Sequence, residues 1–265
     1  MLVAWPFRIE ARPFQLIAPG SSKALQEFFP FSTMPVHALH PQIIFPPVEQ
    51  AEPDGLLAVG GDLSPERLLH AYSKGIFPWY GPGSPILWWS PDPRLVLFPE
   101  ELHVSRSLRK VLRREPFQVS FDRAFPEVIG YCAAASRPDG PGTWLVPDMQ
   151  RAYNLLHEVG LAHSVEVWES GELVGGLYGV ALGRVFFGES MFHLRPNASK
   201  VALVHLVQRL RRWDFQLLDC QQTTTHMQRF GAREIRRWEF MTILEEATVQ
   251  PTIFGRWTEG GSGKV

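Results

Sequence analysis

The sequence predicts an α+β fold in two unequal parts: a small N-terminal domain with short strands, and a larger C-terminal domain of alternating helices and strands. Three observations carry this. Sixteen of the 23 prolines fall before residue 100, which leaves the first part little room for long helices. From Thr143 onward, apolar residues recur with helical or strand period in a continuous series. The chain has 265 residues, 45% of them hydrophobic and 20% charged, enough to bury a core and too apolar for general disorder.

The elements follow in order. Residues 1–40 read as an irregular, proline-punctuated extension. Residues 41–100 form the small N-terminal domain, in which one helix is well signalled. Ser64 suits its N-cap, Pro65 its first position and Gly75 its end. Residues 101–142 hold a basic helix and a connection. Within 103–114, Arg106, Arg109, Lys110, Arg113 and Arg114 recur on one helical face, and Val104, Leu108, Val111 and Leu112 on the other. Such a stripe is either a solvated face or a phosphate-binding one.

Residues 143–265 make the C-terminal domain. A helix over 148–159 is expected with Asp148 as cap, Ala152, Leu155, Leu156 and Val159 as core, and Gly160 as stop. Strands follow over 163–168, 173–182 and 184–192, the first two joined by the turn Glu169-Ser-Gly-Glu172. A long helix then runs from Asn197 or Ser199 to Trp213. A buried strand over 215–220, a short helix over 223–230 ended by Gly231, and a last strand over 240–244 complete the series. Three hairpin-linked strands followed by β-α-β is the order of the GNAT acyltransferases, so a GNAT-like catalytic domain is expected.

Composition narrows the setting. Lys+Arg number 26 against 27 Asp+Glu, but 21 of the 26 are Arg, the better planar partner for phosphate. No apolar run reaches the ~18–20 residues that a membrane span needs, and Arg8, Glu10 and Arg12 interrupt any signal-peptide core. Two cysteines, Cys132 and Cys220, make no disulfide framework. A cytoplasmic protein without a membrane partner is expected.

Two strand ends carry candidate chemistry. Alternation puts Asp219 and Gln221 on one face and Cys220 on the other, so Asp219 suits a general base with Gln221 as its partner; a salt-bridged or capping Asp is the competing reading. Alternation likewise puts Glu189 and Met191 on one face, pairing a carboxylate with a flexible apolar side chain. Cys220 and His226 lack the spacing that would complete a metal site. Gly60-Gly61-Asp62 reads as a turn and cap rather than a phosphate loop. The connection His193-Leu-Arg-Pro-Asn197 has no glycine, which argues against wrapping a CoA pyrophosphate.

Taken together, several segments resemble the leucyl/phenylalanyl-tRNA–protein transferases. They include Glu52-Pro-Asp-Gly-Leu-Leu-Ala-Val-Gly-Gly-Asp-Leu-Ser-Pro65, Gly75-Ile-Phe-Pro-Trp79, Leu87-Trp-Trp-Ser-Pro-Asp-Pro-Arg94 and Thr143-Trp144. Ala162-His-Ser-Val-Glu-Val-Trp168, Leu173-Val-Gly-Gly176, Gly188-Glu-Ser-Met-Phe192, Asn197-Ala-Ser-Lys200 and Leu218-Asp-Cys-Gln221 continue the match in order.

The resemblance implies transfer of Leu or Phe, and also Met, from aminoacyl-tRNA to the N-terminal amine of proteins beginning with Arg or Lys. That mark leads to N-degron degradation. It implies Asp219 and Gln221 as the catalytic pair, and Leu177, Glu189, Met191 and Leu218 at the aminoacyl pocket. Trp144 falls on the terminal adenosine, and Arg106, Arg109, Lys110, Arg113 and Arg114 fall on the tRNA phosphates. Neither metal nor cofactor is implied, and a monomer is expected. A GNAT-type enzyme with another acyl donor, and a non-catalytic tRNA-binding module, are the rival readings.

Overall fold

The computed structural model describes residues 36–114, 116–135 and 145–258. The strands among them are β1 (His37–Leu39), β2 (Leu56–Gly60), β3 (Phe77–Pro78), β4 (Leu87–Trp89), β5 (Arg94–Leu97), β6 (Gln118–Phe121), β7 (Ala162–Glu169), β8 (Glu172–Leu182), β9 (Val185–His193), β10 (Leu217–Gln221) and β11 (Arg233–Ile235). The α-helices are α1 (Pro65–Ser73), α2 (Arg106–Arg114), α3 (Phe125–Ala134), α4 (Pro147–Glu158), α5 (Ala198–Arg212), α6 (Thr225–Gln228) and α7 (Arg237–Thr248).

Three of the helices start at a side-chain cap. Ser64 Oγ accepts from the Arg67 backbone N–H at α1, Ser105 Oγ from that of Leu108 at α2, and Thr224 Oγ1 from that of Met227 at α6. Helix α4 starts one residue earlier than expected, with Val146 rather than Asp148 at its cap. Its phase also differs. Met149, Ala152, Tyr153 and Leu156 are buried, whereas Leu155 and Val159 are 46% and 54% exposed. Residues 149, 152, 153 and 156 form an i, i+3, i+4, i+7 stripe, and the burial of Tyr153 completes it.

A seven-stranded sheet in the order β11-β5-β10-β9-β8-β7-β6 forms the body, and a four-stranded sheet β1-β2-β4-β3 lies at the N-terminal side. Strands β7, β8 and β9 form the expected antiparallel meander. Helix α5 then crosses over, and β10 returns parallel to β9. The strand expected over 240–244 is helical instead, inside α7. Phe240, Leu244 and Ala247 are its buried residues, an i, i+4, i+7 pattern that a short apolar run hides. Strand β5 pairs with both β10 and β11, so residues 94–97 belong to the large sheet although they precede the proline-poor part of the chain.

Alternating side chains feed two cores, one on each face of the sheet. Leu217, Phe187 and Val180 join one cluster with α1, α3, α4 and α7. Leu218, Phe186 and Ala181 join the other with α5. The C-terminal segment is fixed by Asp122, which accepts from the backbone N–H groups of Trp257 (2.6 Å) and Ser164 (2.8 Å) and from His163 Nδ1 (2.8 Å). Gly60-Gly61-Asp62 is a turn and cap: Asp62 accepts from the Ser64 backbone N–H and faces Arg67 Nε at 3.2 Å. No helix among the described residues is long and apolar enough to cross a membrane.

Candidate active site

The cavity forms where two parallel strands part. β9 and β10 pair only from Leu217 opposite Val185 to Asp219 opposite Phe187. Each strand also carries an extra residue near that point. On β9, Ser190 faces Tyr178 and Gly188 faces Gly179, so Glu189 is the surplus. On β10, Asp219 faces Val96 and Gln221 faces Leu95, so Cys220 is the surplus, and Gln221 takes φ 62. A bulge bends its strand and re-aims the side chains around it. Gly179 permits the approach on the β8 side, where a Cβ atom would lie 2.2 Å from the Phe187 carbonyl oxygen.

The resulting cavity has a volume of about 130 Å³. Leu177, Phe186, Met191, Leu203, Leu206, Leu218 and Met227 supply its apolar wall, and Phe77, Pro78 and Trp79 of the aromatic loop border it. An apolar cavity of about 150 Å³ accepts a benzene ring, so this one has the size of a single large apolar side chain. Glu189, Ser190, Asp219, Cys220 and Gln221 bring the polar groups.

Glu189 is the centre of that polar end. Tyr72 donates to its Oε1 at 2.7 Å, Tyr153 to its Oε2 at 2.8 Å, and Gln221 Nε2 to Oε1 at 3.1 Å. Burial pushes its carboxyl up to about 7. The bonds from Tyr72, Tyr153 and Gln221 work against that shift, and the neighbouring Asp219 charge adds to it. Tyr72 and Tyr153 are 2.7 Å apart through their hydroxyls. Burial first, and the Glu189 charge second, push both well above the ordinary tyrosine range, so they stay protonated.

Asp219 is engaged differently. Arg94 Nε donates to Oδ1 at 2.9 Å and Arg94 Nη2 to Oδ2 at 2.7 Å, while the Gln221 backbone N–H donates to Oδ1 at 2.8 Å. Both partners are at most 1% exposed. Asp219 therefore fixes the backbone of Gln221, whose amide reaches Glu189. Cys220 has its thiol pushed well up by burial, with the Asp219 charge adding to the effect, so it is held as a thiol rather than a thiolate.

Leu177, Glu189, Met191, Leu218, Asp219 and Gln221 thus line one cavity, although they come from three strands. Simple alternation predicts that Glu189 and Met191 share a face, and they do not. The bulge turns Glu189 towards Tyr72 and Tyr153 of one core, while Met191 packs on the other. Arg106, Arg109, Lys110, Arg113 and Arg114 are all exposed on α2, and none makes an ion pair among the described residues. Trp144 lies outside the described residues, and His226 lines a neighbouring cleft rather than this cavity. Sequence reasoning missed Tyr72, Tyr153 and Arg94. Tyr153 was within reach through the helical phase of α4; the other two carry no local signal.

An apolar cavity with a buried carboxylate of raised pKa at its polar end has the form of an enzyme site for a substrate with one apolar and one polar end. Comparison with known proteins narrows this. A family model described as leucyl/phenylalanyl-tRNA protein transferase matches residues 96–245, and the model of that family's N-terminal domain matches residues 61–92. Proteins named leucyl/phenylalanyl-tRNA–protein transferase are similar along most of the chain. The one from Nitratidesulfovibrio vulgaris (strain DP4) is 62% identical over 214 residues, covering 81% of this chain and 92% of that protein. The one from Syntrophobacter fumaroxidans is 62% identical over 229 residues, covering 86% and 97%. That of Azotobacter vinelandii is 64% identical over 202 residues, covering 76% and 89%. The chain belongs to the leucyl/phenylalanyl-tRNA–protein transferase family. Among solved structures, L-PGS from Bacillus licheniformis matches at 11% identity and a TM-score of 0.36, covering 63% of this chain and 52% of that one.

Proposed function

We propose that the protein transfers leucine or phenylalanine, and also methionine, from aminoacyl-tRNA to the N-terminal amine of proteins that begin with Arg or Lys. The transfer marks those proteins for N-degron degradation. The observation that carries this reading is the cavity of about 130 Å³, apolar on its wall and joined to the Glu189 network at its polar end. Family membership supports an aminoacyl-tRNA as donor and a protein as acceptor. One methylene in an apolar pocket is worth only about 1–3 kcal/mol, so acceptance of three apolar side chains is expected.

The donor is an activated ester, so no covalent enzyme intermediate is needed. The acceptor amine attacks the ester carbonyl, a C–N bond forms, and the C–O bond to the ribose breaks. The amine gives up a proton, and the ribose oxygen leaves with one. Glu189 is the group poised to take the amine proton, because its carboxyl titrates at about 7. The sequence points to Asp219 as the base; its charge is already paired with the Arg94 guanidinium, whereas Glu189 is bonded, among the described residues, only by the neutral donors Tyr72, Tyr153 and Gln221, so in this proposal Asp219 positions Gln221. Tyr72, Tyr153 and Gln221 orient the Glu189 carboxylate.

The remaining assignments complete the proposal. Leu177, Met191 and Leu218 hold the aminoacyl side chain, Trp144 stacks the terminal adenosine, and the α2 stripe meets tRNA phosphates. The β7–β9 meander, the α5 crossover and the parting of β9 from β10 support a GNAT-like catalytic domain. A cytoplasmic monomer using no metal or cofactor fits this chemistry. Radiolabelled Leu-tRNA with an Arg-initiated peptide tests the reading. Label in the peptide supports it; tRNA binding without transfer returns the reading to a binding module, and transfer only from another acyl donor returns it to a different acyltransferase.

A further inference from the structure

β9 continues past the aminoacyl cavity. Met191 and His193 stand on one face without an intervening bulge, a step of about 6.6–6.8 Å. Met191 lines the cavity, and His193 lines a second cleft of about 460 Å³. Helix α6 makes the same connection: Met227 lines the cavity, and its neighbour His226 lines the cleft. Ser105, which caps the basic helix α2, and Leu108 of that helix's apolar face also line it. The cleft therefore sits between the cavity and the start of the basic stripe.

Its chemistry is that of an anion site. Lys200 and Arg229 line it with His103, His193 and His226, and no carboxylate among the described residues does. Neither Lys200 nor Arg229 makes an ion pair among the described residues. The 15-residue helix α5 begins here, with Ser199 and Lys200 of its first turn on the wall. Its dipole adds positive potential. His226 Nε2 is shielded from solvent and has no hydrogen-bond partner, a cost that a bound anion oxygen relieves. Burial, with Lys200 and Arg229 next, pushes His226 down to about 4, so Lys200 and Arg229 supply the positive charge of the cleft and His226 a neutral ring.

We propose that this cleft is a phosphodiester-binding subsite for the 3′-terminal strand of the donor RNA, with Lys200 and Arg229 as its charged ligands. The inference rests on the function proposed above, because it needs a donor whose acyl end occupies the cavity. Such a donor, with its stem on α2, passes the cleft and carries one phosphate per nucleotide. Phosphate contacts of this kind position the chain without reading its sequence.

The test compares two donors on the full-length protein: phenylalanyl-adenosine, which has no phosphodiester, and phenylalanyl-cytidylyl-adenosine, which has one. Each is used with an Arg-initiated peptide. The expected result is that the protein favours the phosphodiester donor by about tenfold in kcat/KM, the scale of one charge-assisted hydrogen bond. Lys200→Gln or Arg229→Gln removes most of that ratio. Lys200 is only partly buried and Arg229 is exposed, so both variants fold. Loss of the ratio in either variant supports the subsite. Equal use of the two donors by the unaltered protein, or an unchanged ratio in both variants, overturns it. Inorganic phosphate should raise the KM of the phosphodiester donor alone; a change in turnover of phenylalanyl-adenosine assigns the cleft to free phosphate and also overturns the proposal. Absence of transfer from either donor and from Phe-tRNA is a separate outcome, which removes the proposed function itself.

Discussion

Replacing Arg94 with Met should cost far more than the loss of a surface charge. Arg94 and Asp219 are 125 residues apart in sequence, at most 1% exposed, and joined by two hydrogen bonds of 2.9 and 2.7 Å. Arg94 Nη1 also donates to the Gly75 carbonyl at 3.1 Å, and its guanidinium lies 4.9 Å from the Phe77 ring and 4.6 Å from that of Phe240. An exposed pair is worth about 0–1 kcal/mol. Here the variant leaves the Asp219 carboxylate buried without a counter-charge, which costs about 3–5 kcal/mol. At about 2–4 °C per kcal/mol for a chain of this size, Tm should fall by about 6–20 °C. Urea unfolding followed by tryptophan fluorescence measures the free-energy change directly. Asp219→Asn removes the charge but keeps an oxygen for the Gln221 N–H. The double variant should therefore be more stable than the sum of the single losses implies, by about 1–3 kcal/mol. A loss below 1 kcal/mol for Arg94→Met, or strictly additive variants, refutes the buried-pair reasoning.

Other perturbations read other parts of the molecule. Met191→Ala enlarges the cavity and should shift the Phe/Leu preference towards Phe by about tenfold, measured by competition between the two aminoacyl-tRNAs; an unchanged ratio removes Met191 from the pocket. Arg109→Ala with Arg113→Ala should weaken binding of all aminoacyl-tRNAs alike and flatten the log K against log salt slope by about 0.7–0.9 per lost contact. Retained affinity and slope show a solvated face. Glu189 gives a pH signature in stability. Its carboxyl is raised from 4.5 to about 7, so the folded state holds this proton more tightly than the unfolded one. The resulting contribution is fully present below pH 4.5 and declines as pH rises through about 7. Between pH 5 and 8 the protein should lose roughly 2–3 kcal/mol relative to Glu189→Gln. Parallel stability curves for the two contradict the raised carboxyl.

Most of the C-terminal meander was legible because strands β7, β8 and β9 are long, adjacent and joined by tight turns. Gly171, at φ 84, closes the first of those turns. The basic face of α2 was legible for the same reason: its period is local. Phe240-Met-Thr-Ile-Leu244 misled because five apolar-rich residues fit a strand as well as one and a half helical turns, and burial at Ala247 decides between them. Strand alternation put Asp219 with Gln221 on one face of a strand and Glu189 with Met191 on one face of another, yet it missed the bulges at Glu189 and Cys220 that turn these side chains to their partners. Tyr72 lies 117 residues from Glu189. Its role, like that of Arg94, depends on contacts between distant segments that no local period encodes.

In the proposed reaction Glu189 accepts the amine proton in the cavity that seats the aminoacyl side chain. Single-turnover transfer from pre-bound Phe-tRNA to an Arg-initiated peptide, compared between the unaltered protein and Glu189→Gln, tests it most directly. Glutamine keeps the size of the side chain and partners for Tyr72 and Tyr153, but it cannot take the proton. If Glu189 takes the proton, the rate falls about 10²–10⁴-fold in the variant, with Phe-tRNA affinity unchanged. A variant that transfers at the unaltered rate contradicts it.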